Sequence, residues 1–380
     1  MNPAGTPDQA IYFTGNGAKA EDIREYQWSL NRPLYDKKAV PETGSDKATV
    51  KIQVDTTGPN VLYVRTVSKS GNVSPQTTYE FLVQAKDGLD APGDVTGDGH
   101  PDILAVNADG DLLTYAGDAM GDTDAHILAT VDNGTRVSGH WKDSKTGKSA
   151  LIGHSTDWFP GDGLTDLIAR MPDGKLYVYP GIGTGQFDVV RRMEILLPAS
   201  APDPATFRQI VVTEDVDGDG LADMFALDAD GFWAFSGYTG SSFNSYKRLA
   251  TGWAPRDIVG VRDVSGDRVP DLIFRDNANA NRGLALRKGK AGVNGGADLA
   301  SLAMKEASNG GQDITYATTG WGRTAIPMIL GTADATGDGI PDIWAVDNLG
   351  KQRLHQGGAA AIGVASGMDE DDWNKFLTIG

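Results

Sequence analysis

Asp215-Val-Asp217-Gly-Asp219-Gly-Leu221-Ala-Asp223, running into the apolar stretch Met224-Phe-Ala-Leu227, decides the fold because four other segments repeat it. Asp94-Val-Thr96-Gly-Asp98-Gly-His100-Pro-Asp102 precedes Ile103-Leu-Ala-Val106, and Asp263-Val-Ser265-Gly-Asp267-Arg-Val269-Pro-Asp271 precedes Leu272-Ile-Phe274. Asp334-Ala-Thr336-Gly-Asp338-Gly-Ile340-Pro-Asp342 precedes Ile343-Trp-Ala-Val346. A weaker copy, Pro160-Gly-Asp162-Gly-Leu-Thr-Asp166, precedes Leu167-Ile-Ala169.

In the regular copies, side-chain oxygens stand at loop positions 1, 3, 5 and 9, and the residue at position 7 offers a backbone carbonyl. That alternation turns successive oxygens into one concavity, and glycine at positions 4 and 6 permits the tight turn. Hard oxygen donors in this number suit Ca²⁺ better than Mg²⁺, which keeps more of its water. Without a cation, three or four clustered carboxylates repel by several kcal/mol at an effective dielectric of ~20. The expectation is about four or five bound Ca²⁺ ions, with the position-7 carbonyls coming from His100, Leu221, Val269 and Ile340. In the weaker copy only Asp162 and Asp166 fall on ligand positions. Counting back puts Trp158 at position 1 and Pro160 at position 3, with Asp157 one residue too early. An EF-hand would need a glutamate at position 12 and a helix, yet position 12 holds Ala105, Ala226, Phe274 and Ala345 before strand formers. Contiguous nonapeptide β-roll repeats do not fit the wide spacing.

On these loops the sequence resembles the FG-GAP/VCBS repeat family, the calcium-loop repeats of integrin α-subunits and many secreted bacterial proteins. The resemblance covers roughly residues 90–380 and implies an all-β propeller with one calcium loop per blade. It also implies a role in adhesion or ligand binding. Loop starts near 94, 158, 215, 263 and 334 are about 60 residues apart on average, which suits a four-stranded blade. The first loop lacks an entering strand, and Trp373-Asn-Lys-Phe-Leu-Thr-Ile379 has that missing shape, so the chain end is expected to complete the first blade. Five blades follow, while the long 285–320 stretch leaves room for a sixth.

Residues 1–86 alternate polar and apolar over Tyr26–Leu30, Val50–Val54, Leu62–Val67 and Tyr79–Val83, with turns at 57–60 and 70–72. They read as a small β-sandwich that resembles immunoglobulin- or fibronectin-III-like modules of secreted actinobacterial proteins. Residues 87–93 are the linker and 94–380 the propeller.

Composition narrows the function. A formal charge of −17 argues against nucleic acid. No run of 18 apolar residues appears, so no membrane span is expected. Zero cysteines exclude disulfides, thiolate metal sites and a cysteine nucleophile. Met1-Asn-Pro-Ala-Gly5 reads as a mature start rather than a signal peptide. The five histidines show no metal-ligand spacing, and neither a nucleophile elbow nor a phosphate loop is present. Trp141, Trp253, Trp321 and Trp373 recur at one repeat position and read as core. Trp158, Tyr177, Trp233 and Trp344 fit no repeated slot and are the candidate ligand contacts. The expected function is a secreted, non-catalytic, lectin-like recognition module for a glycan or a cell-surface or secreted protein. Two alternatives stay open: an architectural piece of a larger adhesin or toxin assembly, and a polysaccharide lyase or glycosidase.

Overall fold

The computed structural model describes residues 9–15, 22–30, 33–52, 58–83, 89–118, 123–158, 162–278, 283–369 and 372–380. The chain is all-β and dominated by antiparallel sheets, with one short α-helix, Leu299–Ala303, among the described residues. No described helix is long and apolar enough to cross a membrane.

The central strands explain the architecture. Ile103–Asn107 is buried on both faces: Ile103 and Ala105 join one apolar cluster, while Leu104 and Val106 join another. Met224–Leu227 divides in the same way, Met224 and Ala226 to one side, Phe225 and Leu227 to the other. A strand whose alternate side chains are all apolar must be covered on both faces. The cover is a neighbouring sheet on each side.

Five four-stranded antiparallel sheets supply it among the described residues. The second consists of Leu151–His154, Leu167–Arg170, Leu176–Tyr179 and Met193–Glu194 in that order, and the third of Gln209–Val212, Met224–Leu227, Phe232–Tyr238 and Phe243–Ala250. Arg256–Arg262, Asp271–Asp276, Leu284–Arg287 and Asp313–Ala317 form the fourth, so the 285–320 stretch belongs to that sheet and the short helix. Met328–Gly331, Ile343–Val346, Gln352–His355 and Ala365–Asp369 form the fifth. The first sheet takes its innermost strand from the far end of the sequence: Phe376–Ile379 pairs with Ile103–Asn107, followed by Leu112–Gly117 and Thr123–Leu128. Gly380 and Leu104 exchange backbone hydrogen bonds at 2.9 Å in both directions.

Each innermost strand touches the next, and Phe376–Ile379 touches both Met328–Gly331 and Leu151–His154, which closes a ring. One apolar cluster lies between each successive pair of sheets, the last joining the fifth to the first through Trp344, Trp373, Tyr115 and Phe376. The inner strands meet backbone to backbone: a Cβ on Gly331 would lie 2.7 Å from the Val259 carbonyl oxygen and 2.9 Å from the Gly260 Cα.

Before the ring, Gln9–Phe13 pairs with Ala48–Ile52, while Lys37–Ala39, Ile23–Leu30, Gly58–Ser68 and Thr77–Val83 form a four-stranded sheet. Phe13, Tyr26, Trp28, Val50, Ile52 and Leu62 from the two sheets share one apolar cluster. The turn expected at 57–60 is corrected: Gly58, Pro59 and Asn60 already pair in strand with Val83, Leu82 and Phe81. Pro59 is tolerated where a ladder can spare one N–H. Thr57, Val54 and linker residues 87–88 lie outside the described residues.

Candidate metal loops and the aromatic positions

Four of the Asp-rich loops follow the innermost strand of their sheet, and all five enter its second, apolar strand, so all five lie at one end of the ring. In the regular copies the first aspartate folds the loop around itself. Asp94 accepts the N–H groups of Gly97, Asp98 and Gly99 at 2.6, 3.3 and 2.7 Å. Asp334 accepts those of Gly337, Asp338 and Gly339 at 2.7, 3.1 and 2.6 Å. Asp215 and Asp263 repeat the pattern. At position 5, Asp98, Asp162, Asp219, Asp267 and Asp338 each accept the N–H two residues on.

The position-9 aspartates, Asp102, Asp166, Asp223, Asp271 and Asp342, are all buried. One oxygen of each accepts the N–H of position 2, from Val95, Trp158, Val216, Val264 and Ala335. The other accepts from the glycine that closes the following strand: Gly117, Gly181, Gly237, Gly289 and Gly357. A carboxylate oxygen has two lone pairs, so these bonds fix the aspartates and leave acceptor capacity facing the loop interior.

The interior is the test of whether a cation fits. Ligand atoms of Asp94, Asp98 and Asp102 lie within 4.8 Å of one another, as do those of Asp215, Asp217 and Asp223. Asp98 Oδ2, Ser265 Oγ and Thr336 Oγ1 are buried without a hydrogen-bond partner, and they stand at positions 5, 3 and 3 of three different loops. Orphaned buried oxygens are rare in native structures and call for a partner. Three of them sit where the repeat demands a ligand, while others, Thr184 Oγ1 and Gln352 Oε1 among them, lie outside the loops. Burial, reinforced by Asp94, pushes Asp98 up to about 7, and burial likewise pushes Asp223 up to about 7. Asp102 is raised well above the usual carboxylate range by burial and by the charges of Asp98 and Asp94. Burial also raises Asp94, Asp217, Asp271 and Asp342. Carboxyls held this way resist ionising alone and fit a divalent cation. The side chains of His100, Leu221, Val269 and Ile340 stay at least partly exposed, consistent with only their carbonyls being required.

The second copy corrects the sequence count. Asp157, placed one residue too early, takes the first-aspartate role: its Oδ2 accepts Gly163 N–H at 2.9 Å, as Asp94 Oδ2 accepts Gly99 N–H. Trp158 N–H reaches Asp166 at 2.7 Å, as Val95 N–H reaches Asp102. Trp158 therefore stands at position 2, and the loop is one residue longer than its sisters. A second carboxylate the sequence reading missed is Asp90, which accepts the Thr165 N–H at 2.8 Å while its own N–H donates to Gly163 O at 2.9 Å. Burial, with the charges of Asp94, Asp162 and Asp157, pushes Asp90 up to about 6.

The fourth copy carries Arg268 at position 6 with φ +70°, where Gly99, Gly220 and Gly339 have φ of +91°, +87° and +88°. An L-residue there costs about 1–2 kcal/mol, partly offset by a stiffer unfolded chain. Arg268→Gly is expected to stabilise the protein by about 0.5–1 kcal/mol, read from denaturant midpoints.

Three of the four aromatic candidates are corrected. Trp158 is 2% exposed and packs on Tyr238 at 4.9 Å between ring centroids. Trp344 is fully buried between the fifth and first sheets. Tyr177 is buried, with its hydroxyl donating to Asp173 Oδ2 at 2.9 Å and Arg192 lying over its ring at 4.5 Å. Each lies under a neighbouring element and cannot offer a face to a ligand. Trp233 stays partly exposed, oriented by a 2.8 Å bond from Nε1 to Asp228 Oδ2. Trp141, Trp253 and Trp373 are buried, and Trp321 is partly buried against His355.

No family model matches the chain, and no curated protein matches it. Among solved structures it is similar to a lectin of Agrocybe aegerita that recognises non-reducing terminal N-acetylglucosamine, at 14% identity over 93% of this chain and 92% of that one, with a TM-score of 0.39. It is also similar to the BP39L lectin of Burkholderia pseudomallei, at 13% identity over 91% and 99% of the two chains with a TM-score of 0.37. An oligogalacturonate lyase of Vibrio parahaemolyticus matches at 7% identity over 98% and 88%, with a TM-score of 0.31.

Proposed function

We propose that this chain is a five-bladed, calcium-loaded β-propeller of the FG-GAP/VCBS type, preceded by a β-sandwich module, that acts outside the cell as a non-catalytic recognition module. The observation that carries the reading is the loop itself, built five times with the same backbone-to-carboxylate bonds and with buried orphan oxygens at ligand positions in three copies. Calcium would be held by the oxygens at positions 1, 3, 5 and 9 and the carbonyl at position 7. The second loop would use Asp157, Asp162 and Asp166, with Asp90 beside them. In each blade the ion would tie a loop to the sheet it enters. Extracellular sites of this kind bind at roughly 10⁻⁴–10⁻³ M, which only calcium outside the cell fills.

The recognition half is supported by what the titratable groups do. His140 is bonded to the Tyr179 hydroxyl at 3.0 Å and His154 to the Gly93 carbonyl at 3.0 Å. Burial pushes both, and His355, down to about 4, so all three are neutral and committed to packing near pH 7. The loop aspartates are committed to backbone N–H groups and to the ion. Trp233 is the one candidate with exposed ring surface for a sugar to stack on, with Asp228 at its edge and Arg248 over its ring at 5.6 Å. Two measurements test this. Atomic absorption after equilibrium dialysis should find four or five calcium ions per chain. A glycan array in calcium should show binding without product, lost with chelator and weakened by Trp233→Ala at about 1 kcal/mol or more. Silence on the array in full calcium would favour an architectural role, and chain-end products would favour a lyase.

A further inference from the structure

The five innermost strands enclose an axial cavity of about 530 Å³, a size suited to a small molecule. Arg208, Asp257, Arg275 and Arg323 line it. Asp257 lies near the start of the strand Arg256–Arg262, whose far end leads into the fourth loop, so this cluster sits at the end of the ring opposite the Asp-rich loops.

Three guanidinium groups converge on one carboxylate. Arg275 Nε donates to Asp257 Oδ2 at 2.6 Å, Arg323 Nε to the same oxygen at 2.8 Å and Arg208 Nη1 to Oδ1 at 2.9 Å. The other bonds of Arg208 and Arg275 go to carbonyl oxygens, which satisfy donors without neutralising charge. Elsewhere around the ring's inner strands the arginines are matched, Arg262 by Glu214 and Arg256 by Asp276. The cluster therefore holds two positive charges in excess, inside a chain whose net charge is −17. Arg275 is 5% exposed, so water screens it poorly. Among the described residues nothing accepts from Arg275 Nη2 or Arg323 Nη1.

We propose that the axial cavity binds an oxyanion, the carboxylate or sulfate of an acidic ligand, between Arg275 and Arg323. Arg323 spends Nε and one Nη2 hydrogen on the two oxygens of Asp257, and Arg275 spends Nε and Nη1 on Asp257 and carbonyls, so the anion would meet the outer N–H groups on Arg275 Nη2 and on the Nη1 side of Arg323. Asp257 does not touch the anion; it holds the two forks in place. The calcium loops lie at the other end of the ring, and Trp233, bonded to the Asp228 whose carbonyl takes Arg208 Nε, does not line the cavity.

Isothermal titration of calcium-loaded protein with sodium sulfate and with glucuronate, against sodium chloride at equal ionic strength and against glucose, tests it. One saturable site for sulfate or glucuronate is expected, and none for chloride or glucose. Sulfate alone would identify a free inorganic anion as the ligand, and glucuronate an acidic saccharide. Arg323 has a side chain 45% exposed, so Arg323→Gln should fold normally and weaken binding at least tenfold. Arg323→Lys, which keeps the charge but loses the fork, should weaken glucuronate several-fold. Absence of saturable heat with both anions, or unchanged affinity in Arg323→Gln, would overturn the proposal.

Discussion

Removing calcium with EDTA should lower the melting temperature by roughly 15–30 °C relative to 10 mM calcium, the largest effect any single change of solution is expected to have. A site with a dissociation constant of about 10⁻⁴–10⁻³ M contributes roughly 1.4–2.7 kcal/mol at that concentration. Five such sites together contribute about 7–14 kcal/mol, comparable to the whole stability of an ordinary domain. Magnesium at the same concentration should restore little, since it gives up its water reluctantly. The direction of the pH dependence is a second readout. In metal-free protein, Asp98 and Asp223 are held up to about 7 against an unfolded value of ~3.9. The folded state then carries more protons than the unfolded one between those values, so its stability is highest near the lower limit and is lost as pH rises towards 7. Asp257 has the opposite sign: despite burial, Arg323 and Arg275 hold it well below the usual carboxylate range. Its contribution is lost only below about pH 4 and leaves the window above untouched. In EDTA the protein should therefore melt higher at pH 5.5 than at pH 7.5. In saturating calcium the order should reverse, because protons compete with the ion. A shift below about 5 °C on chelation, with no reversal, would sink the metal assignment.

The loops were legible in the sequence because their chemistry is local. Oxygen at alternate positions, glycine where φ turns positive and an apolar strand directly after are all written within about fourteen residues. The pairing of Phe376–Ile379 with Ile103–Asn107 was legible for a related reason: one repeat lacked a strand and the chain end supplied one. Asp157 was missed because counting at a fixed register cannot see one inserted residue. The usable signal was the buried apolar residue at position 2: Val95, Val216, Val264 and Ala335, and then Trp158. Trp344 and Tyr177 were misread because an aromatic in a strand is covered or bare according to which sheet lies over it, and that is decided by ring closure. The axial arginines were invisible for the strongest version of this reason. Arg275 faces Asp257 across two paired strands of the fourth sheet, but Arg208 and Arg323 come from the connections before the third and fifth sheets, and only the ring brings them to that carboxylate.

Two glycines of the fifth sheet should respond very differently to the same added methyl group. Gly339, at loop position 6, has φ +88° and open space around the place a Cβ would occupy. Arg268 already fills the matching position of the fourth loop at φ +70°, so Gly339→Ala should cost only about 1 kcal/mol. Gly357 is different. A Cβ there would stand 2.1 Å from the Pro341 carbonyl oxygen and 2.9 Å from Ile340 Cγ2. Neither neighbour can yield, because Pro341 precedes Asp342, which is buried and takes the Gly357 N–H at 2.7 Å. Moving apart breaks that bond and releases the carboxylate that also holds Ala335 and Thr336 N–H groups. Overpacking costs about 1–3 kcal/mol and a lost bond to a buried charge about as much again, so Gly357→Ala should lose roughly 3–5 kcal/mol. It should also lower the bound calcium by one ion, which Gly339→Ala should not. The same contact recurs at Gly117, Gly181 and Gly289, where a Cβ would meet the carbonyl oxygens of Pro101, Thr165 and Pro270 at 2.1, 2.3 and 2.0 Å. Equal melting temperatures for the two alanine variants would mean that the closing glycine is no more than a turn residue, and that position 9 is not anchored from the neighbouring strand.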